Sequence, residues 1–220
     1  MDLEVTIGQA RRLMKTGKTE IARGMLAELV DAHPDEGEAL NLYGVTLIQS
    51  GQLDQAIELL ERAVKASPEE PRFLNNLGAA YLNNSRSADA VATLSRACEI
   101  DLEFQESWFN LGNAQINAGN AEESEIAYNR VLELNPFHVG AMNNLAALYR
   151  STDRSEEAIP YLKKACELKP RNAPFKVSLA GAYCETGQVD LAKPLIDGAL
   201  ELNPELEPAL VLKQKIAGPN

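Results

Sequence analysis

Asparagines stand out among the polar side chains of this sequence, because they recur with a 34-residue period. Asn76, Asn110 and Asn144 follow one another at this spacing, and Asn41 and Asn75 are one such period apart. An asparagine amide carries one acceptor oxygen and two N–H donors, which match the C=O and N–H groups of an extended peptide. The spacing therefore indicates a ladder of amides that could hold a polypeptide by its main chain.

Catalytic and metal-binding side chains show no comparable pattern. The two histidines, His33 and His138, are far apart in the sequence, and the three cysteines form neither a CxxC pair nor a disulfide framework. The sequence TGKT at residues 16–19 ends like a phosphate-binding loop but lacks the first glycine of that motif. We therefore predict a protein without enzymatic activity, cofactor or metal ion.

The charge of the chain argues against two classes of partner. Its formal net charge is −11, and no block of Lys and Arg is present that could release counterions from a nucleic acid. The same charge disfavours an anionic membrane surface, and no run of about 18 apolar residues could insert into a bilayer. Residues 1–5 are acidic where a signal peptide would be basic, so we expect a cytoplasmic protein.

A 34-residue repeat extends along almost the whole chain. Small residues occupy its eighth and twentieth positions in every copy, where the two helices of a hairpin would cross at short distance. Prolines close most copies, but repeat three has Asp101-Leu102 instead, so its second helix could run further. The small residues are Ala10, Gly44, Gly78, Gly112, Ala146 and Ala180 at position 8, and Ala22, Ala56, Ala90, Ser124, Ala158 and Ala192 at position 20.

This pattern resembles the tetratricopeptide repeat, with repeat five as the best copy: Met142, Leu145, Ala146, Tyr149 and Ala158 stand at positions 4, 7, 8, 11 and 20. The resemblance implies an all-α fold, a right-handed α-α superhelix of six helical hairpins. The predicted repeats are residues 3–36, 37–70, 71–104, 105–138, 139–172 and 173–206. Residues 207–217 are predicted to form a C-terminal capping helix with a polar outer face, and the whole array one continuous domain.

The resemblance also implies where a ligand would bind. In this family, positions 2, 5, 6, 9, 12 and 13 of the first helix of each hairpin (helix A) face a concave groove, and we refer to them as groove positions. Seven of the twelve residues at positions 5, 6 and 9 of repeats two to five are asparagines, and position 13 adds two more. The predicted groove residues are Asn41, Asn75, Asn76, Asn110, Asn113, Asn143, Asn144, Phe109, Asn83, Asn117, Arg72 and Arg150.

Two interpretations of these asparagines remain open. They resemble the asparagine ladder in the tetratricopeptide arm of O-linked N-acetylglucosamine transferase, which implies binding of an extended peptide. Alternatively, they pair with neighbouring repeats and only stiffen the stack. The carboxylate clamp of chaperone-binding members is not expected, because Phe109, Val177 and Gly181 stand where that clamp requires cations.

These features favour a protein–protein interaction scaffold that accepts an extended peptide in its groove. Two alternatives stay open: the chain could be the substrate-recruiting arm of a larger sulfo- or glycosyltransferase, or a scaffold that assembles with copies of itself. The expected partner of the interaction scaffold is a protein or peptide. The self-assembling scaffold would instead form a homo-oligomer.

Overall fold

The computed structural model describes residues 2–217, which form thirteen α-helices and no β-strand. This architecture confirms the predicted all-α fold class. Odd-numbered helices up to α11 are the A helices of hairpins, and the even-numbered helices are their B helices. The bounds are α1 Leu3–Lys15, α2 Thr19–Ala32, α3 Gly37–Gln49, α4 Leu53–Ala66, α5 Pro71–Asn83, α6 Ser87–Ile100, α7 Gln105–Ala118, α8 Ala121–Leu134, α9 Val139–Ser151, α10 Ser155–Leu168, α11 Ala173–Glu185, α12 Val189–Leu202 and α13 Glu207–Ala217.

The small residues at positions 8 and 20 lie where helices A and B cross. A Cβ atom added at Gly78 would be 2.4 Å from Cγ of Leu94, and one added at Gly44 would be 2.7 Å from Cγ of Leu60. Both leucines are fully buried. The hairpins of repeats two and three therefore pack so closely that position 8 has no room for a methyl group.

The turn between helices A and B needs one residue with a left-handed backbone. Gly17, Gly51, Gly119 and Gly187 supply it at position 15 of four repeats, with φ of 75°, 76°, 82° and 75°. In repeats three and five the same position is occupied by Ser85 and Asp153, whose φ values are 59° and 58°. Residues with a Cβ atom therefore adopt a conformation there that favours glycine.

The second helix of repeat three does not run further, contrary to the sequence-based expectation. Helix α6 ends at Ile100, and Oδ1 of Asp101 accepts a hydrogen bond from the N–H of Glu103 at 2.9 Å. The indole N–H of Trp108 donates to the carbonyl of Leu102 at 3.0 Å. These side-chain bonds replace the proline as the signal that ends the helix.

The described residues form two compact units, divided between Ser124 and Glu125 inside α8. In the first unit α1 contacts α3, α3 contacts α5 and α5 contacts α7. In the second unit α9 contacts α11 and α11 contacts α13. Each unit therefore has a layer of A helices, and the groove positions lie along this layer.

Helix α13 begins where a seventh copy of the 34-residue repeat would begin, and it packs against α11 and α12. Ala209 is fully buried, whereas Lys213, Gln214 and Lys215 are exposed and Lys213 forms an ion pair with Asp197 at 2.8 Å. None of the thirteen helices in residues 2–217 is long and apolar enough to cross a membrane.

One buried thiol belongs to the core of the first unit. Cys98 in α6 is 2% exposed and forms no disulfide. Burial raises the pKa of the Cys98 thiol to about 12, because the thiolate would lose its hydration. Cys166 and Cys184, both in the second unit, are free and half-buried.

Candidate functional site

Asparagines of the first unit bond to each other across the boundary between successive repeats. Nδ2 of Asn76 donates to Oδ1 of Asn41 at 2.8 Å, and Nδ2 of Asn110 donates to Oδ1 of Asn75 at 2.9 Å. In both pairs position 6 of one repeat donates to position 5 of the repeat before it. The regular spacing of the asparagines thus also brings them within reach of each other between repeats.

The two pairs differ in burial, because only the first has a fully buried end. Asn41 is 2% exposed, and Asn75, Asn76 and Asn110 are half-buried. Oδ1 of Asn75 also accepts a hydrogen bond from the hydroxyl of Ser107 at 3.4 Å. Among residues 2–217 no partner is found for Oδ1 of Asn76 or Oδ1 of Asn110, so each of these amides keeps an acceptor after pairing.

The asparagines of the second unit follow a different pattern. Nδ2 of Asn144 donates to the hydroxyl of Tyr128 at 3.3 Å, and Nδ2 of Asn143 lies 3.5 Å from Oδ1 of Asn144 in the same helix. Both asparagines are half-buried. The pairing rule of the first unit needs an asparagine at position 5 of the preceding repeat, and Phe109 occupies that position.

The remaining predicted groove residues differ in exposure. Asn83 and Asn117 at position 13 are exposed, whereas Asn113 and Phe109 are half-buried. Aliphatic side chains lie between the amides: Val45 and Leu82 are half-buried and Ile116 is 40% exposed. The face of the A helices in the first unit therefore combines fixed amides with accessible apolar surface.

Both predicted basic groove residues are held in ion pairs. Arg72 contacts Glu38 and Glu70, each at 3.0 Å, and Glu38 also pairs with Arg11 at 2.6 Å. The guanidinium of Arg150 donates to both oxygens of Glu185, at 2.9 and 2.6 Å. An acidic ligand group would have to displace Glu38 or Glu185 to reach these arginines.

A polar cavity of about 650 Å³ lies beside the turns between helices A and B of repeats five and six. Glu185 accepts there from Arg150 and from the hydroxyl of Ser155 at 2.7 Å, and this bonding holds the pKa of the Glu185 carboxyl below its usual value. Arg154 pairs with Glu125 at 2.6 Å and with Glu157 at 2.7 Å. Every charged group named here has a partner within the unit, so we interpret this network as structural.

Sequence reasoning did not identify the acidic partners of the arginines. A signal was nevertheless present, because Glu38 and Arg72 differ by 34 in residue number and Arg150 and Glu185 differ by 35. Opposite charges at nearly equivalent positions of adjacent repeats are the ionic counterpart of the paired asparagines. A search for residue pairs at these two separations would have found both kinds of contact.

Comparisons with known proteins agree with this fold. Family models described as tetratricopeptide repeat match residues 7–71 and 44–101, residues 103–171, and residues 150–216. None of the curated protein sequences matches the chain.

Several solved structures resemble it. A crystal structure of MamA protein is 26% identical over 74% of this chain and 88% of that chain, with a TM-score of 0.68. The pilF protein of Pseudomonas aeruginosa is 18% identical over 96% of each chain, with a TM-score of 0.84. YrrB, described as a TPR protein with an unusual peptide-binding site, is 15% identical over 86% of this chain and 97% of that chain, with a TM-score of 0.72.

The last two identities are low enough that these likenesses concern the fold alone. The family models, in contrast, together extend over nearly the whole sequence, from α1 to α13. The chain therefore belongs to the tetratricopeptide repeat family.

Proposed function

We propose that this chain is a protein-interaction scaffold whose first unit binds an extended peptide along the layer of A helices. The general role follows from the family, since tetratricopeptide repeat chains typically act as interaction scaffolds rather than enzymes. The specific role of the asparagines depends on one observation. Asn76 and Asn110 are anchored by a donor to the preceding repeat, and among residues 2–217 the acceptor oxygen of each has no partner.

Anchored amides lose less conformational entropy than mobile amides when they bind a peptide. Their side-chain rotamers are already restricted by the inter-repeat bonds, so less conformational entropy remains to be lost on binding. Each hydrogen bond from a peptide N–H would contribute about 0.5–1.5 kcal/mol. The inter-repeat pairing and the binding of a ligand are therefore compatible functions of the same residues.

The surrounding side chains support a ligand of low charge. Arg72 is neutralised by Glu38 and Glu70, and the aliphatic residues Val45 and Leu82 offer contacts that need no charge. Exposed Asn83 and Asn117 add a second row of amides, whose side chains make no hydrogen bond among residues 2–217. We expect the ligand to be recognised mainly through its main chain, and binding to depend little on salt.

The test is an array of random dodecapeptides probed with the full chain and two double variants. Asn76→Ala with Asn110→Ala removes anchored amides, and Asn83→Ala with Asn117→Ala removes exposed amides that have no structural partner in the described chain. We expect the first pair of changes to weaken the peptides bound by the unchanged protein by about tenfold or more, and the second pair to weaken them less.

Asn129→Ala provides a matched control, because Asn129 is half-buried on the B helix α8 rather than at a groove position. Thermal unfolding of each variant separates lost stability from lost binding. Unchanged peptide selection by a folded Asn76→Ala, Asn110→Ala variant would refute the role of the ladder.

A further inference from the structure

An apolar cavity of about 450 Å³ lies on the A-helix layer of the second unit. Val177 and Ser178 line it from α11, Pro208, Val211 and Leu212 from α13, and Arg150 from α9. Its size is within the range of about 300–1,000 Å³ that is usual for pockets that bind small groups. Val211 is 55% exposed although it borders the cavity, so an occupant would remove apolar surface from water.

The cavity continues the row of groove positions that carries asparagines in α9. Positions 5 and 6 are Asn143 and Asn144 in α9 and Val177 and Ser178 in α11. Because α13 follows α11 by one length of the 34-residue repeat, Val211 and Leu212 are its equivalent residues. Along the second unit these positions thus change from amides to aliphatic side chains.

The charged residues around the cavity differ in whether they have an ion-pair partner. Arg150 is neutralised by Glu185, with contacts of 2.9 and 2.6 Å. Glu207, at the first turn of α13, is exposed and has no ion-pair partner among residues 2–217. Lys215 lies on the same helix, about 12 Å farther along at about 1.5 Å per residue. After the bonds from Arg150 and Ser155, its positive charge also helps to lower the pKa of the Glu185 carboxyl. The rim of the cavity next to Pro208 and Val211 is therefore acidic, because the carboxylate of Glu207 lies there.

We propose that this cavity binds one large aliphatic or aromatic side chain of an extended peptide, and that a basic residue next to that side chain pairs with Glu207. The inference rests on the proposed function, since it assumes that the chain binds peptides along its A helices. It adds a requirement that the amides cannot supply: amides recognise any main chain, whereas the cavity selects a side chain.

Filling the cavity with leucine instead of alanine should strengthen binding by about ten- to a hundredfold, as expected for burial of a leucine side chain. The probes are synthetic decapeptides of Gly and Ser with a central pair, Leu-Arg, Ala-Arg or Leu-Glu. Their binding to the full chain is measured by fluorescence anisotropy of the labelled peptide. We expect Leu-Arg to bind at least tenfold more tightly than Ala-Arg, and more tightly than Leu-Glu.

Two matched variants locate the site. Val211→Asp places a carboxylate at the cavity, and Leu191→Asp makes the same change at a residue of α12 that is 49% exposed and outside the groove positions. We expect Val211→Asp to abolish the preference for leucine over alanine and Leu191→Asp to retain it. Glu207→Lys should reverse the preference between Leu-Arg and Leu-Glu. Circular dichroism verifies that each variant is folded.

A peptide with p-benzoylphenylalanine in place of leucine gives an independent answer by photo-crosslinking. We expect attachment to α11 or α13, and crosslinks confined to the first unit would overturn the proposal. An unchanged leucine preference in Val211→Asp would also overturn it. Equal binding of Leu-Arg and Ala-Arg peptides by the unchanged protein would refute the cavity but leave main-chain binding intact, whereas no binding of any peptide would refute the proposed function itself.

Discussion

The two units join their A helices by different combinations of contacts. In the first unit neutral amides connect the repeats, through Asn76 with Asn41 and Asn110 with Asn75. Ion pairs of Glu38 with Arg11 and Arg72 add to them. In the second unit a guanidinium and a carboxylate connect the repeats, through Arg150 with Glu185. A neutral amide pair holds its strength as the pH falls, whereas an ion pair weakens once its carboxylate is protonated. The amide pairs of the first unit therefore keep their contribution at a pH that weakens the ion pairs of either unit.

The largest expected effect is at the buried end of an amide pair. Asn41→Ala should lower the free energy of unfolding of the first unit by about 1–3 kcal/mol, because Asn76 loses a buried acceptor. Hydrogen exchange followed by mass spectrometry can measure this helix by helix. Asn83→Ala, at an exposed side chain without a partner in the described chain, is the control and should change stability by less than about 0.5 kcal/mol. If Asn41→Ala lowered the free energy of unfolding no more than Asn83→Ala does, the hydrogen bond between Asn41 and Asn76 would contribute nothing to stability.

The helix crossings provide a second comparison, because position 8 is glycine in repeat three and alanine in repeat five. Gly78→Ala should destabilise the first unit by about 1–2 kcal/mol, since the clash with Leu94 exceeds the gain in helix propensity. Ala146→Gly should destabilise the second unit by about 1 kcal/mol, through a lost methyl group and a poorer helix former. Thermal unfolding measures both, and a more stable Gly78→Ala variant would contradict the close packing described above.

The ionic connection of the second unit can be separated from the amide connection by pH. The pKa of Glu185 is lowered by its bonds to Arg150, so the stabilisation is present above its usual value near 4.5 and is lost as the pH falls through the lower, folded value. Arg150→Met should therefore cost up to about 1 kcal/mol at pH 7, a small figure because both side chains are partly exposed. Below the folded pKa the change should cost little.

Hydrogen exchange of α9 and α11 across a pH series provides the measurement for Arg150→Met. The matched control is Asn41→Ala, whose cost should be the same at each pH because no group of the pair titrates in this range. A cost of Arg150→Met that stays constant down to pH 2 would mean that packing, and not the ion pair, is what Arg150 contributes.

The smallest effect concerns the two left-handed turn residues that are not glycine, Ser85 in the first unit and Asp153 in the second. Ser85→Gly and Asp153→Gly should each raise the free energy of unfolding by about 0.5–1 kcal/mol, because glycine adopts φ near 60° without a steric penalty. Gly119→Ala, with the opposite change at the equivalent turn, should lower it. Melting temperatures of the three variants test this, and a less stable Ser85→Gly variant would contradict it.

Much of the fold could be predicted from the sequence because small residues at fixed positions leave few ways to pack. The first helices of the six hairpins begin at Leu3, Gly37, Pro71, Gln105, Val139 and Ala173, the residues at which the 34-residue pattern begins each repeat. The end of α6 was not predictable in this way. The side-chain hydrogen bonds of Asp101 and Trp108 at this turn form only when the turn is folded.

The candidate site was less predictable, because positions 5 and 6 border both the groove and the contact between repeats. The sequence predicted Asn41 and Asn76 at groove positions of successive repeats, and both open interpretations are compatible with those positions. The structure shows that pairing between repeats occurs in the first unit, and the role of the remaining acceptors stays a prediction. The ion pairing of Arg72 and Arg150 was not predicted, because the pattern within one repeat does not show which side chain of the adjacent repeat lies opposite.

The buried thiol of Cys98 makes one further measurement straightforward. Because this is the only cysteine of the first unit and its thiol is shielded, a maleimide can react with it only when the protein around α6 opens. After Cys166 and Cys184 are replaced by serine, the rate of maleimide labelling reports how often the protein around α6 opens. A bound peptide that bridges the repeats should lower this labelling rate, so occupancy could be followed without any label on the ligand.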